Sequence, residues 1–248
     1  MNTNRQRELV VVPGPADLAE TAALRLLSRV KHTARGAVCL TGGSSPEGLY
    51  RLLAEQPWRD EVPWDRVHWF IGDERFVAEN DPLSNMGMAR RLFLDRVNAP
   101  RQNIHPIETG TNYPEAAASL YADELKSFYG AQRLDPARPL FDLVLMGLGS
   151  DGHTASLFPH SPALEENERW VVGVAKAGLE PFVPRVTLTL PALASSREML
   201  FLVDGSNKRG VVRRVFSGED LPARRAYCDG DLVWLLDRAA APEDQHAL

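Results

Sequence analysis

Three features of the amino-acid sequence predict an α/β fold: a three-layer arrangement in which a largely parallel sheet carries helices on both faces. Short apolar runs alternate with segments that place apolar residues at helical spacing along most of the chain, the pattern of successive βα units. Some of those runs, Leu143 to Met146 above all, are apolar throughout, as strands buried on both faces are. The glycines and charged residues gather in turns directly after the runs, at the edge where open α/β sheets bind ligands.

Taken in order, Leu9 to Val12 reads as a strand closed by Pro13-Gly14. Ala16 to Lys31 reads as a helix, with Leu18, Ala22, Leu26 and Val30 on one face. Ala37 to Leu40 is a second strand, followed by the turn Thr41-Gly-Gly-Ser-Ser-Pro46 and a helix to about Ala54. Ser45 suits the N-cap of that helix and Pro46 its first position. Val67 to Ile71 is a third strand, running into Gly72-Asp-Glu-Arg75, and helices are expected over Ser84 to Val97 and Pro114 to Gly130. Leu143 to Met146, Trp170 to Ala175, Arg185 to Leu190, Met199 to Val203 and Leu232 to Leu236 are strand-like, with a helix over Gly205 to Phe216. Within these, Val186-Thr-Leu-Thr-Leu190 alternates like a strand with one polar face. No repeat or linker divides the chain, so residues 1–248 are expected to form a single domain.

Composition narrows the class. Apolar residues are 44% of the 248 and charged residues 25%, enough for a proper core. A formal net charge of -5 argues against a nucleic-acid partner, which selects a basic face. Cys39 and Cys228 are too few for a disulfide framework, and Cys39, in an apolar run, reads as a reduced core residue. The segment from Met1 to Glu8 leads into an apolar run too short for a signal peptide. No run approaches the about 18 residues that span a membrane. The expectation is a soluble cytoplasmic protein without a membrane partner; oligomeric state is not legible.

The chemistry is expected chiefly in the turns that follow the strands. Gly147-Leu-Gly-Ser-Asp-Gly-His153 places Asp151 and His153 among three glycines after a buried strand, and a His beside an acid there is a candidate general base. The same residues match G-x-G-x-x-G, yet Pro159 and Pro162 interrupt the long helix that a dinucleotide site requires. Gly42, Gly43, Ser44 and Ser45 join a strand to a helix start, a combination suited to phosphate; lacking the Gly-Lys-Ser/Thr ending, they do not imply ATP. Asp73 and Arg75 lie after the third strand, and Asn85 suits either a helix cap or a substrate contact, the cap being favoured. Arg185 and Lys208 are the remaining cationic candidates, Lys208 standing near a helix start that a cation does not stabilise. His32, His105 and His246 sit in polar surroundings without evident partners, His68 alternates within a strand, and no histidine shows a metal spacing.

Together these segments resemble the 6-phosphogluconolactonase family, within the group that includes glucosamine-6-phosphate deaminase. The matching pieces are Thr41 to Pro46, Gly72 to Arg75, Ser84-Asn85, Gly147 to Pro159, Arg185 to Pro191, Gly205 to Lys208 and Trp234 to Asp237, in family order. The resemblance implies one domain of modified Rossmann type, no metal or other cofactor, and hydrolysis of 6-phospho-D-glucono-1,5-lactone in the oxidative pentose phosphate pathway. On that reading His153 activates water, Asp151 or Asp73 orients it, and Gly42, Gly43 or Arg75 meets the developing oxyanion. Ser44, Ser45, Arg185 and Lys208 take the phosphate. The deaminases carry a glutamate five residues after this His; here the position is Phe158, a ring that moves no protons. His160, where lactonases more often have glycine, is a departure of open role. A deaminase-type isomerase and a non-catalytic sugar-phosphate sensor are the alternative readings.

Overall fold

The computed structural model describes residues 7–242; residues 1–6 and His246 lie outside the described residues. In chain order the elements are β1 (Glu8–Val12), α1 (Pro15–Val30), β2 (Gly36–Leu40), α2 (Glu47–Leu53), α3 (Trp58–Glu61), β3 (Val67–Ile71) and β4 (Asp73–Arg75). There follow α4 (Asn85–Ala89), α5 (Pro114–Tyr129), β5 (Leu143–Met146), β6 (Val171–Val174), β7 (Arg185–Leu188) and α6 (Leu190–Ala194). The last four are β8 (Glu198–Val203), α7 (Arg209–Phe216), α8 (Pro222–Arg225) and β9 (Asp231–Asp237).

Six strands form one sheet in the order β1-β9-β8-β5-β2-β3, and every pairing in it is parallel. β2, β5 and β8 are buried along their whole length, which is why their sequences, Glu198 at the start of β8 apart, are apolar without alternation. Helices flank the sheet. α1 opens on Pro15 and buries Leu18, Ala22, Leu26 and Val30, the stripe that the spacing predicts. α5 packs on β6 and ends at Gly130 in the left-handed conformation, φ 75°.

β4, β7 and β6 form a second, antiparallel sheet, which the sequence reading did not separate from the first. Gly72-Asp-Glu-Arg75, read as a charged turn, is a short edge strand of that sheet, because Asp73, Glu74 and Arg75 pair with Thr187, Val186 and Arg185. The polar face expected on the Val186–Leu190 strand is buried too. Thr187 is fully inaccessible, and its hydroxyl accepts from the Ser156 N–H at 3.2 Å and donates to the Leu188 carbonyl at 3.0 Å.

Two helix starts differ from expectation. α2 begins at Glu47 with Pro46 in the capping position and no side-chain cap, while the Ser45 hydroxyl donates to Asp204. At α4 the cap is Ser84, whose hydroxyl accepts from the Gly87 N–H at 2.9 Å, and Asn85 is the first helical residue. The helix expected to reach Val97 passes into a π-helical turn over Arg90–Leu94 and stops there.

At the amino-terminal edge of the large sheet, Glu198 is buried and held by Arg25 at 3.1 Å and Arg29 at 2.8 Å, Arg29 also reaching Asp231 at 2.5 Å. A buried carboxylate survives only with such partners. His105, read as partnerless, has two: its Nδ1 meets Glu124 at 2.5 Å and its Nε2 meets His68 at 2.9 Å. The fold explains the miss, since β3 and α5 bring together residues distant in sequence. Burial, then the neighbouring His105 and Arg35, lowers the His68 pKa to about 4, so His68 is neutral at pH 7. Cys39 and Cys228 are both buried and neither forms a disulfide. No helix among the described residues is long and apolar enough to cross a membrane.

Candidate active site

Because the six-stranded sheet is wholly parallel, the connections leaving β2, β3, β5 and β8 all emerge at one edge, and these four strands are adjacent in it. The chain leaves β2 towards β3 on one side, whereas β5 neighbours β8 on the other, so a crevice opens between β2 and β5 at a topological switch point. A cavity of about 240 Å³ occupies it. Ten of the eleven expected site residues line it: Gly42, Gly43, Ser44, Ser45, Asp73, Arg75, Asn85, His153, Arg185 and Lys208. Asp151 stands behind His153.

His153 is oriented by its own loop. Asp151 Oδ1 lies 2.6 Å from His153 Nδ1 and also accepts the His153 backbone N–H at 3.1 Å. The turn closes through Gly149 N–H to the His153 carbonyl at 2.8 Å. A Cβ on Gly149 would stand 2.1 Å from His153 Nδ1 and 2.8 Å from Asp151 Oδ1, so only glycine admits the pair at this position. Partial burial works against the Asp151 carboxylate, but hydrogen bonds and charge from His153 outweigh it and hold its pKa below the ordinary value. Asp151 is therefore ionised at neutral pH. Behind the imidazole lies Phe158, buried, with ring centroids 4.6 Å apart.

Gly149→Ala is expected to separate His153 from Asp151 while sparing the core. It should cost kcat roughly tenfold or more with a melting temperature close to wild type, read by steady-state kinetics beside a thermal melt.

Asp73, the other acid considered for orienting His153, is engaged elsewhere. Its Oδ2 accepts from the Ser156 hydroxyl at 2.6 Å, and its carbonyl accepts from Asn85 Nδ2 at 2.8 Å. Asn85 in turn lies against Gly42, where an added Cβ would fall 2.0 Å from Asn85 Oδ1. The side chain of Asn85 thus clamps the β3 and β2 connections together. Glu74, the acid passed over in the sequence, does the structural work at this corner: its carboxylate accepts from the Ser84 hydroxyl and from the N–H groups of Arg75, Asn85 and Met86 at 2.7–3.0 Å. Burial pushes its pKa up against those hydrogen bonds.

The cations gather on the other side. Arg75 and Arg185 are cross-strand partners on β4 and β7. Arg75 Nη1 donates to the Leu83 carbonyl at 2.6 Å, and its buried Nε has no partner among the described residues. Arg185 donates to the carbonyls of Pro181 and Val183 at 2.9 and 3.3 Å. Burial, then the neighbouring Arg75, lowers the Arg185 pKa, with the Asp73 and Glu74 carboxylates acting against them. Lys208 Nζ donates to the Leu148 carbonyl at 2.6 Å, which leaves two of its three donors. Ser45 donates to Asp204 and Ser44 is exposed.

After Gly152 the chain forms only a short 3-10 turn, Pro162–Glu165, so the long helix of a dinucleotide site is not there. Among the described residues no group of three or more His, Cys, Asp or Glu is placed to hold a metal ion. His160 is exposed, outside the cavity lining, with φ 62°.

Comparison with known proteins decides the family. Residues 13–234 match the family model described as glucosamine-6-phosphate isomerases/6-phosphogluconolactonase. The 6-phosphogluconolactonase of Synechocystis is 40% identical over 220 residues, 87% of this chain and 88% of the relative. The chain belongs to the 6-phosphogluconolactonase family of hydrolases. The Nostoc 6-phosphogluconolactonase is 41% identical over 224 residues, 88% of this chain and 89% of that one. Among solved structures, 6-phosphogluconolactonase from Trypanosoma cruzi superposes with a TM-score of 0.83 at 28% identity, covering 95% of this chain and 96% of that one.

Several lining residues escaped the sequence reading, among them Thr41, Thr154, Leu179 and Glu180. Thr154 was legible in principle, being next to His153; its hydroxyl donates to the Gly147 carbonyl at 2.8 Å and braces the glycine turn. Leu179 and Glu180 had no signal, because they reach the cavity from the connection between β6 and β7, whose path depends on the small sheet.

Proposed function

We propose that the protein hydrolyses 6-phospho-D-glucono-1,5-lactone to 6-phospho-D-gluconate, the lactone-opening step of the oxidative pentose phosphate pathway, in the cytoplasm. The observation that carries the reading is the joining, in one cavity, of an acid-paired imidazole with the cations Arg75, Arg185 and Lys208. An ionised Asp151 only accepts hydrogen bonds, so Nδ1 of neutral His153 carries the hydrogen and Nε2 presents its lone pair. His153 takes a proton from water as the water oxygen bonds to the lactone carbonyl carbon. The carbonyl oxygen gathers negative charge, met by the N–H groups of Gly42 or Gly43 or by Arg75. When the ring C–O bond breaks, His153 returns the proton to the departing oxygen.

The 6-phosphate belongs with Arg185, Lys208 and Ser44, charge-assisted contacts suited to a dianion. Ser45, its hydrogen committed to Asp204, shapes that loop instead of donating to the phosphate. Phe158 at the back of His153 supplies no carboxylate for ring-opening proton transfers, which supports the lactonase over the deaminase. Purified protein with freshly made phosphogluconolactone, coupled to 6-phosphogluconate detection and corrected for spontaneous opening, is expected to show enzyme-dependent product formation. Turnover of glucosamine 6-phosphate without lactone hydrolysis would reverse the assignment.

A further inference from the structure

We propose that Asp204 is a positioning residue of the phosphate subsite, tying the β2 connection that carries Ser44 and Ser45 to the β8 connection that carries Lys208. This inference rests on the phosphate reading given above. Asp204 follows β8 directly, and its carboxylate accepts the Ser45 hydroxyl. In the sheet β5 lies between β8 and β2, so the Ser45–Asp204 bond spans the carboxyl end of β5. Lys208, four residues further along the same connection, bonds the Leu148 carbonyl of the β5 loop. Two hydrogen bonds therefore lace three adjacent connections around the cavity.

Asp204 is itself held from behind. Gly205, φ 89°, donates its N–H to Asp237 Oδ1 at 3.1 Å, and the same oxygen accepts the Ala240 N–H at 2.7 Å. Asp237 ends β9, so the anchor is the sheet.

A carboxylate this near a site for a dianion repels the ligand unless it does something that outweighs the repulsion. Ser45 alone does not explain it, since a neutral acceptor would serve. Lys208 does. Burial lowers the Lys208 pKa, and the charges of Asp204 and then Asp151, carried on the β8 and β5 connections, act against that. Without Asp204, a half-buried lysine sheds its proton at a lower pH and its attraction for phosphate goes with it.

The test measures the affinity of 6-phosphogluconate by titration calorimetry from pH 7 to 10. Asp204→Asn keeps an acceptor for Ser45 and removes only the charge. At pH 7 its affinity should stay within about threefold of wild type, while the alkaline fall in affinity should begin at least about half a pH unit lower. Asp204→Ala, which loses acceptor and charge together, should bind about tenfold more weakly at pH 7, with kcat reduced far less than affinity. Should the Ala variant not fold, the Asn variant alone carries the test. An alkaline limb in Asp204→Asn coincident with wild type overturns the inference. Lys208→Ala serves as the reference: wild-type affinity in that variant would sink the phosphate reading itself, whereas lost affinity there with an unmoved limb in Asp204→Asn would sink only the role of Asp204.

Discussion

His153→Ala is expected to fold as the wild type does and to lose at least about 100-fold in kcat, the lower range for a general base. Among the described residues the side chain bonds only Asp151 and it is 22% exposed, so its removal should leave the melting temperature nearly unchanged. The backbone N–H that Asp151 also accepts remains to hold the turn. Residual activity will not reach zero, because the oxyanion donors and the phosphate contacts survive and δ-lactones open slowly in water. Single-turnover rates corrected for that background decide the matter. A variant retaining more than a tenth of wild-type kcat would remove His153 as the base and direct attention to Asp73 and Glu180, the acids that line the cavity.

Arg185→Ala is expected to lower kcat/KM for the phosphorylated lactone by about 10- to 100-fold more than for unphosphorylated glucono-1,5-lactone. That ratio corresponds to the ~1.5–3 kcal/mol of one hydrogen bond to a charged group. The comparison of two substrates matters here because Arg185 has a second task. Its guanidinium holds the Pro181 and Val183 carbonyls and so shapes the connection carrying Glu180 to the cavity. Damage to that connection should weaken both lactones alike, whereas a lost phosphate contact weakens one. Arg185→Lys sharpens the distinction: it keeps a charge but lacks the planar fork that reaches two carbonyls. Equal losses on both lactones would take Arg185 out of the phosphate subsite and leave Lys208 and Ser44 to account for it.

Much of this architecture was legible because local physics and the final fold agree. Leu143 to Met146 is apolar at every position since both faces of β5 are covered, and the stripe from Leu18 to Val30 is buried as spaced. The convergence of the candidate site residues on one cavity was legible for the same reason: in a parallel sheet every strand's carboxyl end lies on one edge, so turns far apart in sequence converge. What could not be read depended on pairing at a distance. Asp73 to Arg75 is too short to announce itself as a strand, and only its partner β7 makes it one. Ser45 has every local credential of a helix cap, yet Asp204, 159 residues away, claims its hydroxyl. His105 appeared isolated because Glu124 and His68 reach it only in the folded chain. Asp73 and Asp151 looked equivalent as partners for His153 until Ser156 was seen to occupy the first.

The two edges of the large sheet have separate duties. Its amino-terminal edge is locked by Glu198 between Arg25 and Arg29, while the cavity of the proposed site lies at the opposite edge. Robustness and reactivity are thus written into different ends of the same strands. A lineage built on this plan can exchange one connection, and with it one chemistry, without renegotiating the framework. In the reverse direction, it can harden the framework for heat or acid without disturbing a single atom that meets the lactone.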